Sequence, residues 1–508
     1  MECVITIEIG TNAVRVVAFD LTGKVVGSRN GSYPTFHSEP DYSEQDPEQL
    51  FITMLYVLKN LLSEEIHPKK FEVVSICFSA SMHSVLPIDK HGVPLGNAIT
   101  WADNRAKREA QVLKESSLGK TIYEATGTPI HPMSPLVRIT WLNRHDHERF
   151  EKTYKFLSIK SYIIQQLTDD YILDYSLASA TGLMNIHNLS WDADALDYAG
   201  ITQERLPELV SVFHSSAKLK KAYQKSLGLS DGVKIIVGSS DGCLAMLGGG
   251  TWEDGKATVT VEDSGAVRII GDKAIQDSGQ RIFNYLLTEK HFVSGGPTNN
   301  GGVIFEWFAK QFGDFRSPFD IEYTMENLIK EAMEVPIGSE GLVFLPYLLG
   351  ERAPIWNPNA RGSYFGLNIK HERQHFVRAT IEGILYEIYN IGKSLQEYRN
   401  ITSLTANGSF ASIPACTQII ADIFNKPVNV GENPDSNAQG AFLLTATDMG
   451  IYKSLEEASD SVVLASTFKP QKQNHGVYMK FFPIFERLST KLAEEFEEIA
   501  ALQHENGV

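Results

Sequence analysis

An α/β chain in two similar halves is predicted by three observations. Runs rich in β-branched residues alternate with segments whose apolar residues recur at helical spacing. A strand–turn–strand pattern at the start of the chain returns near its middle. The 508 residues are enough for more than one domain with its own core.

VITIEIG and AVRVVAFD read as strands around a Gly-Thr-Asn turn, and the LTGK turn leads into KVVGSRN, giving an antiparallel meander of three strands. Leu50, Met54, Leu55, Leu58 and Leu61 predict a helix over Pro47–Leu62, and VVSICFSA follows as a buried strand. VKIIVGSSDG is a buried strand that ends in a turn, and KATVTVEDSGAVRIIGDKA is a second strand–turn–strand. Thr6-Ile7-Glu8 parallels Thr260-Val261-Glu262, and Ala13-Val14-Arg15 parallels Ala266-Val267-Arg268. Further strands are expected in GLVFLPYL, SLTANGSF and PVNVGE, with long helices over His375–Arg399 and Pro483–Leu502. The domain division is placed at residues 1–245 and 246–508.

Hydrophobic residues make up 43% and charged residues 21%, an ordinary globular composition. A net charge of −16 repels nucleic acid and anionic lipid, so neither is an expected partner. The opening MECVITIEIG has no basic start and no small-residue cleavage site, and no uncharged apolar run reaches membrane-spanning length. Cys3, Cys77, Cys243 and Cys416 are too scattered for a zinc site or a disulfide framework, which fits reduced thiols and a cytoplasmic location. A homodimer is compatible with the sequence, which sets no oligomeric state.

Several residues carry chemistry. Backbone N–H groups and a hydroxyl in the turn Gly10-Thr11-Asn12 suit phosphate oxygens, with Arg15 adding a charge-assisted contact; the alternative is an ordinary hairpin turn. Asp241, in Ser-Ser-Asp-Gly at a strand end, is placed to take a proton from a substrate hydroxyl; the alternative is a plain Asp-Gly turn. Glycine-rich turns at 295–302 and at Asn407-Gly408-Ser409 let backbone approach a ligand closely. Neither a P-loop motif nor a dinucleotide fingerprint is present. Met82-His83, Trp101-Ala102-Asp103-Asn104-Arg105 and the segment 127–132 with His131 combine an aromatic face with polar groups, which suits a polyol; packing or capping is the alternative for each alone.

Together these segments resemble the FGGY carbohydrate kinases. Gly362–Glu382 has the Gly-x-aromatic-x-Gly-Leu start, His375-Phe376 and then Ala379-Thr380-Ile381-Glu382 of the family's second signature. Met133-Ser134-Pro135 and Ile139-x-Trp141-Leu142 meet the first signature, with Arg138 where the pattern has Lys. Within the family the chain is most similar to the gluconate kinases, through SMHSVLPID, ITWADNRA, TGTPIHPMSPL, DYSLASATGLMNI, GGPTNNGG and PYLLGERAPIWNP.

The resemblance implies two ribonuclease H-like (actin-like ATPase) domains closing on a central cleft. The sugar would lie on the N-terminal side and the nucleotide on the C-terminal side. It implies transfer of the ATP γ-phosphoryl group, with Mg²⁺, to a sugar or sugar acid. The favoured substrate is D-gluconate; a xylulose kinase, a sugar-binding pseudokinase and a non-kinase ATPase of the same superfamily are the competing readings. By position, Asp241 matches the catalytic base, and Met82, His83, Trp101 and Asp103 match the substrate pocket with Arg105 close by. Gly10, Thr11, Asn12 and Arg15 match the first phosphate loop, Ser264, Gly302 and Gly408 the nucleotide side, and Glu8 the metal position.

This chain departs from the pattern in having Glu8 for Asp, Glu262-Asp263 for Gly-Thr, and Ile413 for Ser or Asn. Glu8, Asp241 and Glu262 would form a carboxylate cluster for Mg²⁺ if their side chains converge; outward-turned side chains are the alternative. A substrate carboxylate requires a cation, for which Arg105 is the first candidate and His83 and His131 the others.

Overall fold

The computed structural model describes residues 1–215, 219–312 and 321–505. The chain forms two compact units, each discontinuous in sequence. The first comprises Met1–Trp252, Ile270–Ser294 and Asp435–Val462; the second comprises Glu253–Ile269, Gly295–Pro434 and Val463–Val508. The cut expected at 245/246 falls inside the helix Asp241–Gly248. The first unit also takes Ile270–Ser294 and Asp435–Val462 from beyond that point, a return that no local sequence signal marks.

The first unit is built on a five-stranded sheet. Its order is Lys234–Ser240, Glu72–Ala80, Glu2–Ile9, Ala13–Asp20, Val25–Ser32. The first three strands run parallel and the last two continue antiparallel, so the expected meander is present. Cys3, Ile5, Ile7 and Ile9 alternate into one apolar cluster, as period-two spacing requires. The helix Pro47–Leu61 covers that face with Leu50, Met54 and Leu58, and starts where Asp46 accepts from the amides of Glu48 and Gln49.

The second unit repeats this core. Lys256–Val261 pairs antiparallel with Gly265–Gly271 and parallel with Ser403–Asn407, and Val428–Gly431 lies parallel beyond it. Leu464–Phe468 closes the edge antiparallel to Val428–Gly431. A hairpin followed by two parallel strands therefore occurs once in each unit, as the sequence repeat implies. The copies differ at the acid: Glu8 sits inside its strand, opposite Arg15, whereas Glu262 lies one residue past the strand end.

The second signature is a packing device. Tyr364, on the strand Ser363–Phe365, stacks on Phe344 at 4.3 Å, meets Phe376 edge-on at 5.1 Å, and shares a 2.7 Å hydrogen bond with Thr380. The helix Arg373–Gln396 opens with a capping box between Glu372 and His375. Buried Arg378 and Glu382 pair at 2.7 Å, and Glu382 also accepts from the amide of Gly338.

Two expected elements differ. GLVFLPYL supplies only the short strand Val343–Leu345. The helix expected over Pro483–Leu502 is two helices, Lys472–Lys491 and Ala493–Glu505, with Pro483 inside the first rather than at its start. Among the described residues, no helix is long and apolar enough to cross a membrane.

Candidate active site

The turn after the opening strand is held from several sides. The amide of Gly10 donates to the Ala13 carbonyl at 3.0 Å, and the Tyr33 hydroxyl donates to the Gly10 carbonyl. The Gln45 amide donates to the Thr11 carbonyl. The Trp101 indole N–H donates to the Thr11 hydroxyl at 3.0 Å. Thr11 and Trp101, assigned from sequence to phosphate and to sugar, are thus in direct contact.

Behind this turn lies a group of acids. Arg15, opposite Glu8 across the hairpin, pairs with Asp435 at 3.0 Å. Burial pushes the Glu8 carboxyl up to about 7; the Asp435 and Asp241 carboxylates push the same way, against the Asn437 hydrogen bond and Arg15. Asn437 also accepts from the Ser79 hydroxyl at 2.8 Å. The region is short of positive charge, which is the condition a bound divalent cation meets. Among the described residues, no group of three or more His, Cys, Asp or Glu side chains is arranged to hold a metal by itself.

Asp241 stands in the first turn of the helix Asp241–Gly248, half-buried, and its carboxylate accepts from the amide of Gly242 at 2.7 Å. The strand before it, Lys234–Ser240, carries a bulge at Gly238, whose φ is +68°. A Cβ there would lie 1.8 Å from the Phe78 carbonyl oxygen, so only glycine fits.

His83 is buried with φ +70°, a left-handed conformation that a non-glycine residue holds only when its surroundings dictate it. Its Nδ1–H donates to the Ala180 carbonyl at 2.7 Å, and Nε2 lies 3.4 Å from the Tyr285 hydroxyl. Arg138 donates to the His83 carbonyl at 2.7 Å and to the Asp103 carbonyl at 3.2 Å, joining the two polyol-side segments from beneath. Burial drags the Arg138 guanidinium down to about 9. Met82 is half-buried against two apolar clusters. The His131 Nδ1 accepts from the amide of Met133 at 3.2 Å.

Arg105 is placed differently from expectation. Its guanidinium bonds Asp103 through Nε at 2.9 Å and Nη2 at 2.8 Å, and bonds Glu44 at 2.6 Å. It lies 3.6 Å over the Tyr42 ring, and its side chain is 3% exposed. Asp103 is fully buried and also accepts from the amides of Ser43 and Arg105. Two of the protein's own carboxylates and a ring therefore engage this guanidinium.

In the second unit, Glu262 and Asp263 are exposed, and Glu262 accepts from the Ser409 hydroxyl at 3.0 Å. Their backbone carbonyls face the helix Gly302–Phe312. The Glu262 carbonyl accepts from Gly302 at 2.6 Å, and the Asp263 carbonyl from Gly301 at 3.1 Å and Val303 at 3.3 Å. A Cβ on Gly302 would lie 2.9 Å from the Glu262 carbonyl, and one on Gly408 would lie 2.5 Å from that of Val261. Ser264 is half-buried in the same turn.

Sequence reasoning missed Asp435, Asn437 and Glu351. Buried Glu351 takes hydrogen bonds from Thr298 at 2.7 Å, the amide of Asn299 at 3.1 Å and the Asn300 side chain at 2.9 Å. It thereby fixes the Gly-rich segment, a role that the quoted GERAP run signals without specifying. Asp435 caps the helix Ser436–Asp448, and an Asx before a helical run was the available clue.

The profile of the N-terminal domain of the FGGY family of carbohydrate kinases matches residues 3–248, and that of its C-terminal domain matches 277–449. The chain belongs to this family: it is a carbohydrate kinase with the actin-like fold. It is 38% identical to a gluconokinase of Bacillus subtilis (strain 168), over 98% of this chain and 97% of that protein. Two solved structures from Lactobacillus acidophilus each superpose with TM-score 0.92 at 32% identity over 98% of this chain. They are a gluconate kinase, covered over 99% of its length, and a ligand-bound xylulose kinase, covered over 100%.

Proposed function

We propose that this protein phosphorylates D-gluconate to 6-phosphogluconate with ATP. The observation that carries this reading is the 38% identity to a gluconokinase along almost the whole of both chains. Asp241 acts as general base: it takes the proton of the substrate hydroxyl as that oxygen attacks the γ-phosphorus and the bond to the ADP oxygen breaks. Met82, His83, Trp101 and His131 form the sugar side. Asp103, bonded by the Arg105 that Glu44 also holds, keeps the Trp101 segment in place.

Gly10, Thr11, Asn12 and Arg15 form the phosphate turn, and Glu8 with Asp435 is the acidic pair that would hold Mg²⁺. When bound, Mg²⁺ neutralises charge that develops on phosphate oxygens. The second unit's segments around Ser264, Gly302 and Gly408 are assigned to the nucleotide, because they stand at the family's nucleotide-side positions. With Arg105 bonded to Asp103 and Glu44, His83 becomes the favoured partner of the substrate carboxylate, with His131 the other candidate.

A pentulose kinase is the second reading, favoured by the equal similarity to the xylulose kinase structure. ADP release measured over gluconate, xylulose, ribulose and glycerol separates the two. Gluconate is expected to give the highest kcat/KM, and a higher value for xylulose would overturn the assignment.

A further inference from the structure

Lys160 and Asp174 form a buried ion pair that the proposed chemistry does not use. Their side chains are 1% and 0% exposed and lie 2.7 Å apart. A dry ion pair is a poor source of stability, because desolvation offsets its attraction. Its other contacts lead to the base. Lys160 Nζ also donates to the Ser239 carbonyl at 3.1 Å, two residues before Asp241. The Ser176 hydroxyl accepts from the amide of Ser240 at 3.2 Å and shares a 2.8 Å hydrogen bond with the Ser240 hydroxyl.

These contacts fall where the sheet cannot supply them. Among the described residues, Lys234–Ser240 is the edge strand of its sheet: it pairs with Glu72–Ala80, and on its outer side Ser215 bridges Ile236 and the His214 carbonyl accepts from Val237, which leaves Ser239 and Ser240 beyond that bridge. The bulge at Gly238 shifts its register just before Ser239, and its outer backbone groups need partners from elsewhere. Asp174 fixes the other side as well, by capping the short helix Tyr175–Ser179 at the amide of Leu177, which sets Ser176 opposite Ser240.

We infer that Lys160, Asp174 and Ser176 are positioning residues that clamp the strand end at Ser239–Ser240 and so aim the Asp241 carboxylate. The inference rests on the reading of Asp241 as general base. Lys160 touches no reacting atom; it acts through the Ser239 carbonyl.

The test is a double change, Lys160→Met with Asp174→Asn, which removes both charges yet keeps a helix cap. Expected is a folded protein with gluconate KM within about 2-fold of wild type and kcat lowered about 10–100-fold, the scale of a misplaced catalytic group. In an Asp241→Asn background the same double change should add less than about 3-fold, because a clamp has nothing left to aim. If the double variant folds poorly, Ser176→Ala probes the same clamp alone, with an expected kcat loss of about 3–10-fold and the same non-additivity. Wild-type kcat in the folded variants overturns the clamp while leaving the base standing. Equal losses in both backgrounds overturn it too, since the pair would then act elsewhere. Near-normal turnover of Asp241→Asn by itself overturns the base assignment, and the clamp with it.

Discussion

At the scale of single residues, Arg105 shows how one side chain's chemistry can serve two different partners. An arginine beside tryptophan and aspartate matches a carboxylate fork. Here the carboxylates are the protein's own: Asp103, two residues away, and Glu44, 61 residues away in sequence. Arg105→Ala should leave Asp103 buried without its cation and cost about 3–5 kcal/mol of stability. KM for gluconate and for an uncharged polyol should rise equally; a loss confined to gluconate would restore Arg105 as the carboxylate ligand. Asp241 was legible because a strand end followed by Asp-Gly is a local signal. Asp241→Asn should lower kcat by about 10²–10⁴-fold with little change in gluconate KM, measured by ADP release at saturating ATP. The acids behind the phosphate turn were only half legible. Glu8 is marked by its turn, whereas Asp435 comes to it from the far end of the chain.

At the scale of elements, runs rich in β-branched residues located most strands, since such side chains pack well on a pleated, buried surface. Strand length was less legible. GLVFLPYL is apolar throughout, yet Tyr347 leaves the ladder to donate its hydroxyl to Glu387 at 3.0 Å. The helix Arg373–Gln396 therefore carries a fully buried carboxyl. Burial, and next the Glu351 carboxylate, hold Glu387 well above the ordinary carboxylate range. The folded state keeps a proton there that the unfolded chain releases above about 4.5, so stability is fully present below that value and falls as pH rises from it. Glu387→Gln mimics the protonated form. Its Tm should equal wild type near pH 4.5 and exceed it increasingly toward pH 8, as followed by calorimetry. A constant difference across that range would show that Glu387 does not titrate on unfolding.

At the scale of the whole molecule, a charge of −16 bears on both anionic substrates of the proposed reaction, ATP and gluconate. The field slows their approach, and added salt relieves it. Glu262 and Asp263 contribute two of those charges from an exposed turn. Only their backbone carbonyls cap the helix Gly302–Phe312, and any residue there would supply the same carbonyls. Changing both, Glu262→Gly with Asp263→Thr, should therefore leave the fold intact and raise kcat/KM for ATP a few-fold at low salt. The gain should fade as ionic strength passes about 0.1 M, where the Debye length falls to about 10 Å. The Mg²⁺ concentration for half-maximal activity should not move, because both acids lie exposed and the Glu262 carboxylate is engaged by the Ser409 hydroxyl. A Mg²⁺ midpoint that rises in the variant would return these two acids to the metal. A gain that survives high salt would place the acids in direct contact with the nucleotide, since screening removes only the long-range part of the repulsion.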